Sequence, residues 1–85
     1  MRSFTYTIKD ELGIHARPAG MLAKTAKALD SEITITKGEK NVGASKLMAL
    51  MGLGVKCGDT ITVTANGGNE DAALEKIKKF LEEYL

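Results

Sequence analysis

The sequence predicts an α+β fold, an open-faced β-sandwich in which a four-stranded antiparallel sheet carries three helices on one face. Three segments alternate apolar and polar residues with the period of a half-buried strand, and a turn after the second of them predicts a short returning strand. Three other segments carry apolar residues at helical spacing. These elements follow one another in the order β-α-β-β-α-β-α. Amphipathic strands and helices in a chain this short bury their apolar sides most simply when one sheet is covered on one side.

Length and composition limit the classes of protein to which the chain can belong. With 85 residues, we expect one domain, residues 1–85, with a small continuous core. The composition is not that of a nucleic-acid-binding protein, because the net charge is only +1 and the aromatic residues are two Phe and two Tyr, with no Trp. The single Cys57 excludes an internal disulfide and a cysteine-rich zinc site. No apolar run could span a bilayer or act as a signal peptide, so we expect a cytoplasmic monomer without metal, cofactor, nucleic-acid partner or membrane insertion.

The first strand and the first helix are joined by a segment of unusual composition. Alternation predicts the strand over residues 3–8, and apolar spacing predicts the helix from about Ala16 to Leu29. The residues that carry these patterns are Phe4, Tyr6 and Ile8 in the strand and Ala19, Leu22, Ala26 and Leu29 in the helix. Between them, residues 13–20 read Gly-Ile-His-Ala-Arg-Pro-Ala-Gly and contain the only histidine and the only proline of the chain.

His15 is predicted to lie at the N-terminal cap of this helix, because Pro18 is tolerated in a first turn. The N–H groups of Ala16 and Arg17 are then free, and a helix N-terminus with free N–H groups favours an anion such as phosphate. The guanidinium of Arg17 suits phosphate oxygens, and a neutral imidazole offers a nucleophilic nitrogen. These residues indicate a site that takes a phosphoryl group onto a ring nitrogen. The alternative is a capping or surface histidine with no further role.

The middle of the chain predicts a hairpin followed by a short apolar helix. Ile33 and Ile35 mark a strand, the turn at residues 37–40 reverses the chain, and Val42 belongs to the returning strand. Ser45 is the predicted N-cap of the next helix, which ends near residues 52–54. Leu50 and Leu53 are expected to face the core.

The other side of this short helix carries Leu47, Met48 and Met51. The domain is too small to surround a helix, so we expect these three side chains to be exposed and to suit a surface that accepts several partners. The alternative is a helix buried on all sides.

The last third of the chain predicts a fourth strand and a long final helix. Ile61, Val63 and Ala65 alternate with threonines, and Asn69 is the predicted N-cap of the helix. The predicted core face of this helix consists of Ala73, Leu74, Ile77, Leu81 and Tyr84. Cys57, in the turn at residues 56–59, is interpreted as incidental.

With these segments identified, the chain resembles the HPr family, the histidine-containing phosphocarriers of the bacterial sugar phosphotransferase system. The resemblance rests on the Gly-Ile-His-Ala-Arg-Pro-Ala run, the later Leu-Met-x-x-Met-x-Leu-Gly-Val pattern and the order of elements, and it spans essentially the whole chain. It implies that His15 accepts a phosphoryl group on Nδ1 from phosphorylated Enzyme I, which is charged by phosphoenolpyruvate. The group then passes to a histidine of a sugar-specific Enzyme IIA. The protein would be a substrate of transferases and not an enzyme.

The resemblance also implies roles for the neighbouring residues. Arg17 would steady the phosphate together with the backbone N–H groups of Ala16 and Arg17, and Pro18 would shape the helix start. The docking surface for both partners would consist of Lys24, Lys27, Leu47, Met48 and Met51, and from its place one turn after His15 we add Gly20. For Gly20 three interpretations stay open: a tolerated defect in the helix, tight packing against the sheet, or close approach of a partner.

Ser45 departs from the family pattern. In Gram-positive members a kinase, HPr kinase/phosphorylase, modifies a serine at the position that is Lys46 here, and Ser45 lies one residue earlier. We therefore expect Ser45 to cap its helix and not to serve as a regulatory phosphorylation site. The alternative function is a regulatory HPr-like protein that acts in catabolite repression through seryl phosphorylation. A general α+β module for metal or RNA has little support, because the chain has one cysteine, one histidine and balanced charge.

Overall fold

The computed structural model describes all 85 residues and contains four strands and three helices in the predicted order. The strands are β1 (Arg2–Thr7), β2 (Glu32–Lys37), β3 (Lys40–Gly43) and β4 (Thr60–Asn66), and the helices are α1 (Ala16–Lys27), α2 (Leu47–Gly52) and α3 (Glu70–Tyr84). No helix is both long enough and apolar enough to cross a membrane. The predicted fold, an open-faced sandwich with an antiparallel sheet, is confirmed.

The sheet has the strand order β1-β4-β2-β3, and every neighbouring pair is antiparallel. The register places Val63 of β4 opposite Phe4 of β1 on one side and opposite Ile35 of β2 on the other. One row of apolar side chains therefore crosses the sheet on the covered face. On the other face, Thr62 lies opposite Thr5 and Thr36, so that face is polar.

The helices close the apolar face of the sheet around one core cluster of 20 residues. Helix α3 packs against β1 and β4, and α1 packs against α3 and α2. The largest fully buried side chains are Ile8, Leu22, Ile35, Leu50, Ile61, Val63, Ile77 and Leu81. Because α1 and α2 pack against each other, the His15 segment and the short apolar helix belong to the same part of the molecule.

Two helix starts were predicted from capping residues, and one prediction was wrong. Asn69 caps α3, and its side-chain oxygen accepts a hydrogen bond from the N–H of Ala72 at 3.2 Å. Ser45 does not cap α2, because the N-cap position is Lys46, whose side chain makes no capping bond. Ala44 is fully buried, and the N–H of Lys46 bonds to the carbonyl of Gly43 at 3.1 Å. This turn delays the helix by one residue.

The core face of α3 also differs from the prediction at its end. Ala73, Ile77 and Leu81 are buried as expected, and Leu74 packs partly against the core. Tyr84 is 40% exposed, so its assignment to the core was wrong, and Phe80 is buried instead. Helix α1 is slightly shorter than predicted: Ala28 is its C-cap, and Leu29 lies beyond the helix, half-buried against the core.

Candidate phosphoryl site

His15 occupies the N-cap of α1, as the sequence predicted. Its backbone is extended, with φ −100° and ψ −178°, and its carbonyl accepts a bond from the N–H of Ala19 at 3.0 Å. Its imidazole makes no capping bond, and the N–H groups of Ala16 and Arg17 have no hydrogen-bond partner. Pro18 is buried within the first turn. The helix start therefore offers two free N–H donors beside a free imidazole, which suits an anion.

Gly13 holds this segment against the body of the protein. Its φ is +67°, in the left-handed region that L side chains rarely adopt. A Cβ at this position would lie 2.2 Å from the carbonyl oxygen of Val55 and 2.7 Å from the Cα of Lys56. The close approach lets the N–H of Ile14 bond to the same Val55 carbonyl at 3.1 Å, with the Ile14 side chain buried. His15 is thus presented by a backbone that is fixed on its N-terminal side.

A cavity of about 270 Å³ opens beside the imidazole and is lined by Asp10, His15, Arg17, Pro18 and Tyr84. His15 is half-buried, and Arg17 is exposed. The guanidinium of Arg17 makes neither a hydrogen bond nor an ion pair in this structure. An unpaired cation and a free imidazole therefore line one cavity, and the cation is available for an incoming phosphate.

Two of the lining residues, Asp10 and Tyr84, were missed as site residues. The carbonyl oxygen of Leu85 accepts bonds from the N–H groups of Lys9 at 2.6 Å and Asp10 at 2.9 Å, which ties the end of α3 to the segment after β1. The Asp10 carboxylate accepts a bond from the N–H of Leu12 at 2.8 Å. No local pattern could have shown this arrangement, because it joins the two ends of the chain.

The other tyrosine at this end of the molecule has a different environment. The Tyr6 hydroxyl donates to the carbonyl of Leu81 at 3.1 Å, and it lies outside the His15 cavity. Burial and, secondarily, the negative charge of Glu82 raise the pKa of Tyr6, which keeps the hydroxyl protonated as a donor. Tyr6 therefore serves to hold the last turn of α3 against the sheet.

The exposed side of α2 agrees with the sequence prediction. Leu47 is 40% exposed, Met48 79% and Met51 41%, whereas Leu50 and Leu53 are buried. The alternative of a helix buried on every side is therefore wrong. These three side chains form an apolar patch on a small protein, which is the kind of feature that marks an interaction surface.

The residues of α1 predicted for docking are available on the surface. Lys24 and Lys27 are exposed and make no ion pair, although their place in the last turn also complements the helix dipole. A Cβ added to Gly20 would meet no atom within 4 Å. Tight packing against the sheet is thereby ruled out for Gly20, and the two other interpretations stay open. Ser45 is half-buried, and its hydroxyl forms no hydrogen bond.

Comparisons with known proteins agree with this fold and site. The family model described as "PTS HPr component phosphorylation site" matches residues 2–83. The phosphocarrier protein HPr of Mycoplasma genitalium is 42% identical over 83 residues, which cover 96% of this chain and 94% of that protein. The solved structure of a mycoplasma histidine-containing phosphocarrier protein is 38% identical and superposes with a TM-score of 0.93, covering 96% of this chain and 93% of that one.

A catabolite repression protein is also similar in structure. The Bacillus subtilis protein Crh is 32% identical, with a TM-score of 0.78 over 94% of this chain and 92% of that one. The family model and the phosphocarrier relatives each match most of the chain, so the resemblance read from the sequence is confirmed. The chain belongs to the HPr family of phosphocarrier proteins of the phosphotransferase system.

Proposed function

We propose that residues 1–85 form a single phosphocarrier domain in which His15 receives a phosphoryl group from phosphorylated Enzyme I and passes it to a sugar-specific Enzyme IIA. The observation that carries this proposal is the shared cavity of His15 and Arg17, in which neither side chain has a partner. A histidine with only a structural role would be expected to cap its helix or to bond a neighbour. This one leaves both ring nitrogens free.

The transfer needs no component beyond the two proteins. The lone pair of the His15 Nδ1 atom forms a bond to phosphorus while the bond between phosphorus and the donor atom of Enzyme I breaks, and the donor atom keeps that electron pair. Delivery to Enzyme IIA repeats the exchange with His15 as the leaving group. The N–H groups of Ala16 and Arg17 and the Arg17 guanidinium face the transferred group and offset its charge. The carrier supplies a nucleophile and an anion site, and the chemistry requires its partners.

Docking would use the exposed side of α2 and the neighbouring surface of α1. Leu47, Met48 and Met51 supply apolar area, and the unpaired Lys24 and Lys27 supply positive charge for an acidic partner surface. A small apolar patch with steering charges favours fast and weak association, which a carrier needs because it must leave each partner after transfer. We include Gly20 in this surface because it leaves open space where a partner backbone could approach.

The decisive experiment is incubation with phosphoenolpyruvate and Enzyme I. We expect one acid-labile, alkali-stable phosphate per chain, and none in His15→Ala, since His15 is the only histidine. Arg17→Ala should slow transfer with little change in thermal stability, because the guanidinium has no partner to lose. Absence of labelling in the wild-type protein would refute the proposal. A large loss of stability in Arg17→Ala would show that the residue is structural.

Regulation through Ser45 is the second candidate function. The Ser45 hydroxyl, which forms no hydrogen bond, and the likeness to Crh keep it open. We expect no stoichiometric phosphate at Ser45 on incubation with HPr kinase/phosphorylase and ATP. The reason is the register: Ser45 lies one residue before the position of the family's regulatory serine, so a phosphate on it would point elsewhere, and the Lys46 cation would offset part of its charge. Capping no longer contributes to this expectation, because Ser45 is not the cap. Complete seryl phosphorylation would favour the regulatory function.

A further inference from the structure

We infer that Tyr84 is a phosphate-binding residue: its hydroxyl donates a hydrogen bond to the phosphoryl group carried by His15. This inference rests on the proposed function, since it concerns the phosphorylated form of the same site. The phosphoryl group would then be bound by the N–H groups of the helix start, by the Arg17 guanidinium and by the Tyr84 hydroxyl, which comes from the opposite end of the chain.

The position of the Tyr84 ring is fixed by its neighbours. It is the last residue of α3, and its ring packs on Phe80 with centroids 4.9 Å apart and planes tilted by 41°. Phe80 is itself buried, and the following residue, Leu85, is held by the N–H groups of Lys9 and Asp10. The ring is therefore restrained on the side of the core, while 40% of the residue is exposed and lines the His15 cavity.

The chemistry of the cavity makes a further donor useful. Of the five lining residues, Pro18 has no side-chain donor, and an ionised Asp10 is only an acceptor and repels an anion. Apart from the imidazole itself, Arg17 and Tyr84 are the only side chains that can donate to a phosphate oxygen. The Tyr84 hydroxyl makes no hydrogen bond in this structure, whereas that of Tyr6 is already occupied by Leu81. Tyr84 thus adds a neutral donor without a partner to the lining of a cavity that, under the proposed function, has to accommodate a dianion.

Such a bond would be charge-assisted and would favour the phosphorylated carrier. It would also favour the dianionic form of the phosphoryl group over the monoanion, because a donor bonds more strongly to the more negative oxygen. Removing the hydroxyl should therefore change two properties of the phosphorylated protein that do not depend on docking. These are the equilibrium of transfer from Enzyme I and the pH at which the phosphoryl group titrates.

The test is Tyr84→Phe, with Tyr6→Phe as the matched control. Each variant loses one hydroxyl and keeps its ring, but only Tyr84 lines the cavity. We expect Tyr84→Phe to lower the equilibrium constant for phosphoryl transfer from Enzyme I by about three- to tenfold, the range of an ordinary hydrogen bond, because the exposure of Tyr84 to solvent weakens a bond to a charged group. Its phosphorus-31 NMR titration should move to higher pH. Tyr6→Phe keeps the Tyr84 hydroxyl, so it should change both properties less than Tyr84→Phe does, and it should lower the thermal midpoint because the bond to Leu81 is lost.

The outcomes separate this inference from the proposed function. If wild type and Tyr84→Phe are both phosphorylated and share the same equilibrium and the same titration, Tyr84 is not a phosphate ligand although His15 is the carrier. A variant that changes only the KM for Enzyme I would place Tyr84 in the docking interface and would also overturn the inference. If the wild-type protein is not phosphorylated, the proposed function itself is refuted.

Discussion

Replacing Gly13 by alanine tests whether this glycine holds His15 in place. The left-handed conformation at φ +67° costs an L residue about 1–2 kcal/mol. The new Cβ would also lie 2.2 Å from the Val55 carbonyl oxygen, a backbone atom that cannot turn aside, so the two segments must separate. Separation breaks the 3.1 Å bond between the Ile14 N–H and that carbonyl, which costs about 1 kcal/mol. We expect a loss of about 2–3 kcal/mol in the free energy of unfolding.

Gly20→Ala is the matched control, because it makes the same chemical change seven residues later in the same motif. Gly20 lies inside α1, has no positive φ and has no atom within 4 Å of an added Cβ. Alanine is favoured over glycine in a helix interior by about 0.8–1 kcal/mol. This variant should therefore be more stable than the wild type. If Gly20 leaves room for a partner, the same variant should nevertheless be a poorer phosphoryl acceptor, with a raised KM for Enzyme I.

Urea denaturation, followed at equilibrium, measures both effects, and phosphorylation by Enzyme I measures the consequence for His15. In a chain of 85 residues, a change of 1 kcal/mol moves the thermal midpoint by about 4–8 °C, so the Gly13→Ala loss is easily measured. We also expect slower phosphorylation of the folded variant, since the N-cap shifts with its anchor. A Gly13→Ala protein as stable as wild type, or one shifted in the same direction as Gly20→Ala, would refute the reasoning.

Three further predictions concern docking, pH and charge. Met48→Asp should weaken association with Enzyme I about tenfold. Because Met48 is 79% exposed, the free energy of unfolding should stay within about 0.5 kcal/mol of wild type. Loss of the cooperative thermal transition would instead place Met48 in the core. The Lys37 ammonium, at 2.9 Å, and the Lys56 N–H hold the pKa of Asp59 below its ordinary value. The ionised carboxylate therefore stabilises the folded state above about pH 4, and this stabilisation is lost as the pH falls through the lowered pKa. Asp59→Asn should thus be less stable than wild type at pH 7 and more similar to it at pH 2–3 in thermal melts, and a constant difference would contradict the linkage. Asp10→Asn keeps an oxygen for the Leu12 N–H but removes a negative charge from the His15 cavity. The equilibrium of transfer from Enzyme I should therefore move towards the phosphorylated carrier. An unchanged equilibrium would show that solvent screens this charge.

Local patterns in the sequence predicted most of the architecture, because the relevant interactions are local. Alternation located β1, β2 and β4, the turn before Val42 located β3, and the helix start at His15 followed from a proline within the first turn. The Asn69 cap followed equally well, since its bond to Ala72 spans three residues. The exposure of Met48 could be anticipated from the size of the domain alone.

Predictions failed where a local pattern was compatible with two residues for the same structural role. Ser45 and Lys46 could both precede α2, and the buried Ala44 decided between them by drawing the preceding turn into the core. In α3, Phe80 and Tyr84 both continue the apolar stripe, so the spacing alone could not show which ring is buried. In each case the deciding contact involves the packing of the whole domain.

The sequence by itself determined that this chain is a small α+β domain of the HPr family with a histidine presented at a helix start. These features depend on residue type and on spacings of a few positions, so a linear pattern contains them. Only the tertiary structure decided that the end of α3 bonds to the segment after β1 and brings Tyr84 and Asp10 into the cavity of His15. That contact joins residues about 75 positions apart, and it is set by how the last helix crosses the sheet. No periodic pattern along the chain predicts such a crossing.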